Sequence, residues 1–417
     1  MTEQLSDIIF NRTDVNEFSK VKRKRLRQYH EIIVSLYNNG SLSLSEMSDK
    51  LGISVPTITN TANSLLEHNI LKKTGTGESN GGRRPEVYGL VENLFYTLNV
   101  HFEDSRVRIV LLNSLRKVIE SAEMEYNGKN SPSSMIQAIY KQVDQIFKTF
   151  KLPFDKVLGI SVIMPGLINS EEGKNYTYYL NEDVTQSLEK KFESKFDLPV
   201  IIMNDVKSCT IAEFVLGKAK NKLNALVISM NWGIGLGIIM GGKMQWGKNG
   251  FSGEFGHIPV QEFGKLCHCG KRGCLETEAS GEALVKNVRK ELKNGQFSII
   301  NMDGKKIEDV NLDSIIDAAK KGDQFAIDCI SKVGENLGKG VAVLIQLFNP
   351  ESIIIHGVFA ETKQFITTPM MQSLNTQCMM QLVDQTEFEL SDLGADSPVL
   401  GGSIAIVDKF FNKTYEL

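Results

Sequence analysis

Between Lys20 and Asn39 the apolar positions Leu26, Tyr29, Ile32, Ile33 and Leu36 recur at helical spacing, and Asn38-Asn39-Gly40 ends the pattern. Ser43-Leu-Ser-Glu46 is a capping-box pattern that opens a short second helix, with Leu44, Met47 and Leu51 along one side. Gly52 turns the chain. Ser54 is placed to cap a third helix with Pro56 in its first turn, where a missing N–H costs nothing, and Ile58, Ala62, Leu65 and Leu66 face inward. A longer helix followed by two short ones across a glycine turn predicts a helix-turn-helix. After Asn93 the pattern changes to strand-like runs alternating with helices: Tyr96–Val100, Val107–Leu112, Val157–Ile163, Val200–Met203 and Ile353–Ile355. That alternation predicts α/β architecture, and the polar or glycine residues at the strand ends, Asn204-Asp205 and His356-Gly357 among them, are where such sheets place ligands. Ala225–Gly242 carries no charge and is long enough to raise the question of a membrane span. Its five glycines, with Ser229 and Asn231, predict two buried strands joined by a turn instead.

Composition changes this picture at few points. A chain of 417 residues, 41% apolar and 23% charged, is a soluble globular protein of two or three domains. The net charge of -3 hides an asymmetry, because six of the eight residues in Lys20–Arg27 are basic. Six cysteines do not make a disulfide scaffold; Cys209, Cys329 and Cys378 read as core residues. The first thirty residues lack the apolar core of a signal peptide, so a cytoplasmic protein with no membrane association is expected.

The outward face of the third helix is expected to carry Thr57, Thr59, Asn60, Thr61 and Asn63. Asn suits adenine edges and the Thr methyl suits thymine. Lys72, Lys73 and the stretch GTGESNGGRRP, with Arg83 and Arg84, then fit a hairpin wing lying along phosphates or reaching into a minor groove. Operator DNA is the partner this predicts.

Cys267, Cys269 and Cys274 crowd into eight positions and have the look of metal ligands. A closed zinc site takes four donors. His257, ten residues before Cys267, and His268, between two of the cysteines, are the candidates for the fourth. Glu254 and Glu276 bracket the knot, and rigidly held carboxylates beside an imidazole suit the vicinal hydroxyls of a sugar.

GEFGH (253–257) followed by CHCGKRGCLE (267–276) resembles the signature of the ROK family, named for repressors, open reading frames and kinases. MPGLI (164–168), Asn204-Asp205 and LGADSPVLGG (393–402) fall in that family's order, and GRRPEVYGL (82–90) resembles its joint between DNA-binding head and body. The resemblance implies an α/β fold class: an N-terminal winged helix-turn-helix, then a two-lobed actin-like (ribonuclease H-like) sugar-kinase fold. The domains expected are 1–92 for the head, 93–203 for the first lobe and 204–417 for the second, whose C-terminal segment returns to the first. It also implies a structural zinc on His257, Cys267, Cys269 and Cys274. Sugar contacts are implied from Asn204, Asp205, Glu254, His257 and Glu276, with the backbone near Gly166 closing one side. Glu262 and Glu278 are left as surface residues.

The sugar-phosphorylating members resemble one another in an Asp-x-Gly-Gly-Thr-Lys turn whose glycines admit ATP phosphates. The matching turn here, His101–Arg106, has Glu103 and Asp104 where the glycines stand. At ~4 Å and an effective dielectric of about 20, each like-charge contact with a phosphate costs roughly 4 kcal/mol. Asn231-Trp232-Gly233 replaces a second phosphate-side motif, Gly-Thr-Gly, with a bulky ring. Asp205 stands where the family's catalytic base stands, yet no residue is expected to act in catalysis. The expected function is therefore a sugar-responsive repressor acting as a homodimer or homotetramer, its effector a sugar or phosphosugar; the alternative is an ATP-dependent sugar kinase with an added head. Lys207 would favour an acidic ligand, and Tyr176, Tyr178 and Tyr179 would stack on a sugar or pack the surface.

Overall fold

The computed structural model describes residues 9–10, 19–77, 84–103, 105–126, 131–178, 186–302 and 306–412. Arg83, Asp104 and Tyr179 lie outside the described residues. The chain divides into two compact units, 1–208 with 399–417, and 209–398.

The first unit opens with the head. Helix α1 (Lys20–Asn39) starts at Ser19, whose hydroxyl accepts from the Lys22 N–H. Strand β1 (Leu42–Ser43) leads into α2 (Leu44–Leu51), where both hydrogen bonds of the Ser43–Glu46 capping box are present. Gly52, at φ 64°, closes it in the left-handed conformation that favours glycine. Helix α3 (Val55–Glu67) follows, and Met47, Ile58, Ala62 and Leu65 form the seam buried against α1. Two local expectations change. Ser54 flanks α3, but its hydroxyl bonds the Thr57 side chain at 2.9 Å and caps no N–H. Thr61 is buried and donates to the Thr57 carbonyl, because it stands three residues after Ile58 and four before Leu65, on the inward face of the helix. Strands β2 (Leu71–Thr76) and β3 (Glu86–Leu90) pair antiparallel as the wing, completed by β1 in the order β1-β3-β2.

The first lobe is a five-stranded sheet of β4 (Tyr96–Phe102), β5 (Arg106–Asn113), β6 (Val118–Glu125), β7 (Val157–Met164) and β10 (Val200–Asn204), in the order β10-β7-β4-β5-β6. The short strands β8 (Ile168–Asn169) and β9 (Lys174–Asn175) form a ribbon after β7. Helices α4 (Pro132–Phe150) and α5 (Leu188–Phe196) cover one face through Ile139, Val143 and Phe192, all buried with Val100, Ile160 and Ile202. Helix α6 (Asp205–Val215) follows β10 directly.

The final helix, α13 (Ser397–Asn412), packs on the same lobe. A Cβ on Gly401 would sit 1.8 Å from the Ser208 carbonyl oxygen, and one on Gly402 2.5 Å from the Ser161 hydroxyl. The paired glycines of the LGG sequence thus let the helix backbone approach that closely. From α13, Ser403 shares a 2.6 Å hydrogen bond with the Tyr37 hydroxyl of α1 and another of 2.6 Å with Thr97 of β4. Asn99 donates to Thr97 and accepts from Ser161 of β7 at 2.7 Å, extending the chain of buried polar groups across the sheet. Burial raises the Tyr37 phenol above its ordinary value, which keeps it neutral. Arg116, at the tip of the β5–β6 hairpin, lies 5.1 Å from the centre of the Tyr37 ring. His30 places its two ring nitrogens 3.1 and 3.2 Å from the carbonyls of Phe411 and Ile9.

The second unit is built on β11 (Ala225–Met230), β12 (Ile234–Met240), β13 (Lys243–Met244), β14 (Ser352–His356) and β15 (Glu387–Leu390), in the order β13-β12-β11-β14-β15. The uncharged stretch at 225–242 is an antiparallel strand pair, as its glycines predict. No described helix is long and apolar enough to cross a membrane. Five further helices lie here: α7 (Leu275–Ala279), α8 (Gly281–Lys293), α9 (Leu312–Lys320), α10 (Gln324–Phe348) and α11 (Gln364–Gln377), with the single turn α12 (Met380–Val383) after them. Cys209 and Cys329 are buried as expected, whereas Cys378, at the end of α11, is only half-buried.

Tyr37→Phe removes the hydroxyl that ends this chain of hydrogen bonds, and the unfolding free energy of this unit is expected to fall by about 1–2 kcal/mol. The shift in denaturant midpoint with an unchanged slope measures it.

Candidate functional site

The cysteine knot is positioned by close backbone packing. Gly253, at φ 85°, lies so near β12 that a Cβ would meet the Leu236 oxygen at 1.9 Å, and one on Gly256 would meet the Ile234 oxygen at 2.6 Å. Between them Phe255 is buried, its ring against Gly340 of α10, where a Cβ would come within 2.7 Å. The glycines and the phenylalanine of GEFGH thus anchor a short 3-10 turn, and that turn delivers Glu254 and His257 at its ends. Cys274 sits immediately before α7, bridged to Pro259, while the Cys267 N–H donates to the Lys271 carbonyl at 2.7 Å.

The donor atoms of His257, Cys267, Cys269 and Cys274 lie within 4.8 Å of one another. Cys267 Sγ is 3.6 Å from His257 Nδ1, and Cys269 Sγ is 3.6 Å from Cys274 Sγ. Tetrahedral zinc with Zn–S of about 2.3 Å implies donor separations of about 3.8 Å, so the four groups fit a metal of that size. Burial, with the adjacent sulfurs, pushes the Cys274 thiol up to about 12, so without a cation beside it the group stays a neutral thiol. His268 forms a second cluster with His257, Cys267 and Glu276, but its ring is mostly exposed and its Nδ1 lies 3.4 Å from Glu276 Oε1.

Glu276 is held by the backbone. Its Oε2 accepts from the Ile234 N–H at 3.3 Å, and Gly233 and Gly256 leave just enough room for it, since a Cβ on either would come within 3.1 Å. The Asn231-Trp232-Gly233 turn is therefore tied to the knot. Trp232 itself is 42% exposed, and the Asn231 side chain accepts from the Val358 N–H at 3.0 Å. His356 is buried among apolar groups, with neither ring nitrogen bonded to a described residue. Burial pulls its pKa down to about 4, so the ring is neutral at neutral pH.

The remaining candidates lie in the first unit. Gly166 has φ 99°, and a Cβ there would meet Thr177 at 2.8 Å and the Tyr178 ring at 3.2 Å. Asn204 donates to the Gly166 carbonyl at 3.0 Å while its Oδ1 accepts from the Val206 and Lys207 N–H groups. One N–H of that amide remains for any other partner. Asp205 is the first residue of α6; burial raises its carboxyl, and the nearby His101 pulls the other way. Lys207 is buried. Tyr176 donates its hydroxyl to Glu172 at 2.7 Å.

Glu103 is not a bare negative charge. His101 Nδ1 lies 3.5 Å away without the alignment of a hydrogen bond, and Arg106 donates to it while also reaching Glu123 at 3.2 Å. His101 and then Arg106 hold its carboxyl down at about 2.

In the head, Asn60 and Asn63 are exposed. Thr59 is half-buried and its hydroxyl donates to the Val55 carbonyl at 2.8 Å. Lys72, Lys73 and Arg84 are exposed on the wing, where Lys73 pairs with Glu86 at 2.9 Å. Sequence reasoning missed Tyr37, Ser403 and Thr97. No local signal marks them, because they come from three separate stretches of the chain.

A winged helix-turn-helix ahead of a two-lobed α/β body with a histidine–cysteine knot defines the class. The chain belongs to the ROK family, whose model matches residues 104–409, and a MarR family model matches residues 27–75. It is similar to the N-acetylglucosamine repressor of Shigella flexneri, 28% identical over 89% of each chain. The xylose repressor of Bacillus subtilis (strain 168) is 26% identical over 91% of this chain and 95% of its own. Among solved structures, a ROK family transcriptional regulator described as a homolog of the Escherichia coli MLC protein superposes with a TM-score of 0.74. It is 25% identical and covers 93% of this chain and 97% of its own. A ROK family glucokinase from Streptomyces griseus shares the fold at a TM-score of 0.63 and 23% identity, covering 74% of this chain and 98% of its own.

The lowered Glu103 value stabilises the folded state fully above the ordinary 4.5, and this is lost as pH falls from there toward about 2. Glu103→Gln is expected to abolish that component, at most about 3 kcal/mol, so wild type and variant converge in stability in acid. Parallel denaturant titrations at neutral and acid pH measure it.

Proposed function

We propose that the protein is a sugar-responsive transcriptional repressor that binds operator DNA as a homodimer or homotetramer in the cytoplasm. A sugar or phosphosugar bound to the body changes the head's affinity for DNA. One observation carries this reading: α1 of the head is hydrogen-bonded, through Ser403, to the lobe that holds Gly166, Asn204 and Asp205. Relatives named as repressors and paired with a sugar name support it. Asn60 and Asn63 would face base edges, with Thr57 and Thr59 beside them and Lys72, Lys73, Arg83 and Arg84 on phosphates. Asn204, Asp205, Glu254, His257 and Glu276 would hydrogen-bond the sugar.

No catalysis is assigned. In the turn where a kinase needs backbone N–H groups open to phosphates, Glu103 is clamped between His101 and Arg106. Asp205 then serves as a hydrogen-bonding group for a sugar hydroxyl. The metal at the knot would be zinc, held by His257, Cys267, Cys269 and Cys274. A closed four-donor site has no position for activating water, so its contribution is structural. It would fix the His257 ring and the start of α7, and with them the placement of Glu276.

Titrating sugars and phosphosugars against a DNA-bound sample tests the sensor. An effector is expected to change DNA affinity between about 5-fold and 150-fold, and unchanged affinity across hexoses, pentoses, amino sugars and their phosphates would discard the idea. A coupled ADP-release assay addresses the kinase alternative: turnover that disappears in Asp205→Asn would overturn the non-catalytic assignment. Native mass spectrometry is expected to find one zinc per chain, and Cys269→Ser is expected to lose it and lower the melting temperature.

A further inference from the structure

We propose that Arg25 contacts a DNA phosphate, extending the nucleic-acid surface from the recognition helix α3 onto α1. This rests on the DNA-binding reading above. Residues 20–25 are all exposed, and Leu26 is the first buried side chain of α1. The first two turns of the helix therefore overhang the packed head. They carry five cations, with no acidic residue in the first turn. Cations at a helix N-terminus face the positive end of the backbone dipole, an arrangement unfavourable by itself and favourable only beside a polyanion.

Arg25 has a defined position. Its guanidinium lies 5.6 Å from the centre of the Tyr29 ring, and Nη2 is 3.5 Å from the Ser64 hydroxyl. The Tyr29 hydroxyl shares a 3.0 Å hydrogen bond with that same oxygen. The charge thus rests against the flank of α3, beside the exposed face that carries Asn60 and Asn63. Among the described residues no carboxylate pairs with it; Arg27, two positions on, is the one that pairs with Glu31.

Length places this point on the duplex. A helix of 13 residues is about 20 Å long, whereas the major groove is about 12 Å wide. With the first turn of α3 at base edges, Ser64 lies about 14 Å along the axis, where the helix meets the sugar-phosphate wall. At about 100° per residue, Lys20 and Lys24 leave the side of α1 turned away from Tyr29 and α3. They raise the local potential without a contact of their own. Arg25 also precedes the segment matched by the MarR family model, which begins at residue 27.

The test uses the full chain and a duplex enriched by it from a randomised pool, with affinity measured over a series of salt concentrations. Arg25→Gln is expected to weaken binding evenly across sequences and to reduce the slope of log K against log salt by about 0.9, the share of one phosphate. Arg25→Lys is expected to restore the slope, which a purely packing role would not do. Lys20→Gln/Lys24→Gln is expected to change the slope less than Arg25→Gln does. An unchanged slope in Arg25→Gln overturns the assignment and leaves the DNA-binding reading standing. So does a slope lost only in the Lys20/Lys24 double variant, or an altered base preference in Arg25→Gln. If the wild-type chain binds no duplex at any salt, the DNA-binding reading falls and this assignment falls with it.

Discussion

Three hydroxyls in a dry environment set the constraint on which the first unit depends. Tyr37, Ser403 and Thr97 are all buried, and a buried hydroxyl without a partner costs roughly 1–3 kcal/mol. Each can be satisfied only if α1, α13 and β4 stand in one mutual arrangement. Apolar contacts tolerate sliding; short directional bonds do not. Phe95 and Phe411 fill space around the junction, with Phe95 5.7 Å from the Tyr37 ring, but the hydroxyls set its register. The DNA-binding helices are thereby keyed to the sheet whose strand β7 ends just before Gly166.

The second unit uses a different device, close approach of backbones. Gly253, Gly256 and Gly340 each stand where a side-chain carbon would strike a neighbouring chain. Their absence of bulk lets Phe255 plug the gap and presents His257 to three sulfurs. Glu276 takes its position from the same packing, through the Ile234 N–H. One cluster therefore orients a candidate metal-ligating histidine and a candidate sugar carboxylate together, so disorder in one would be felt by the other.

At the His101–Arg106 turn, one of the two carboxylates counted along the chain has partners in three dimensions. Glu103 next to Asp104 reads as a pair of negative charges facing a polyanion. In three dimensions Arg106 pairs with Glu103, and His101 Nδ1 lies 3.5 Å from it. A paired side chain at that position fills space that a glycine would leave open.

Periodicity made the head legible because its helices are amphipathic and two of the three are capped by adjacent serines; Ser43–Glu46 needed no tertiary information. The uncharged segment at 225–242 was equally readable from its glycines, and the knot from cysteine spacing. Other features were decided only by folding. His356 became a core residue, and the Asn204 amide went largely into holding Gly166 and the start of α6. Tyr37, Thr97 and Ser403 met across hundreds of residues. Local signals report what a residue can do with neighbours a turn away. Which distant groups must share a hydrogen bond is settled by burial, because only removal from water makes an unmade bond expensive.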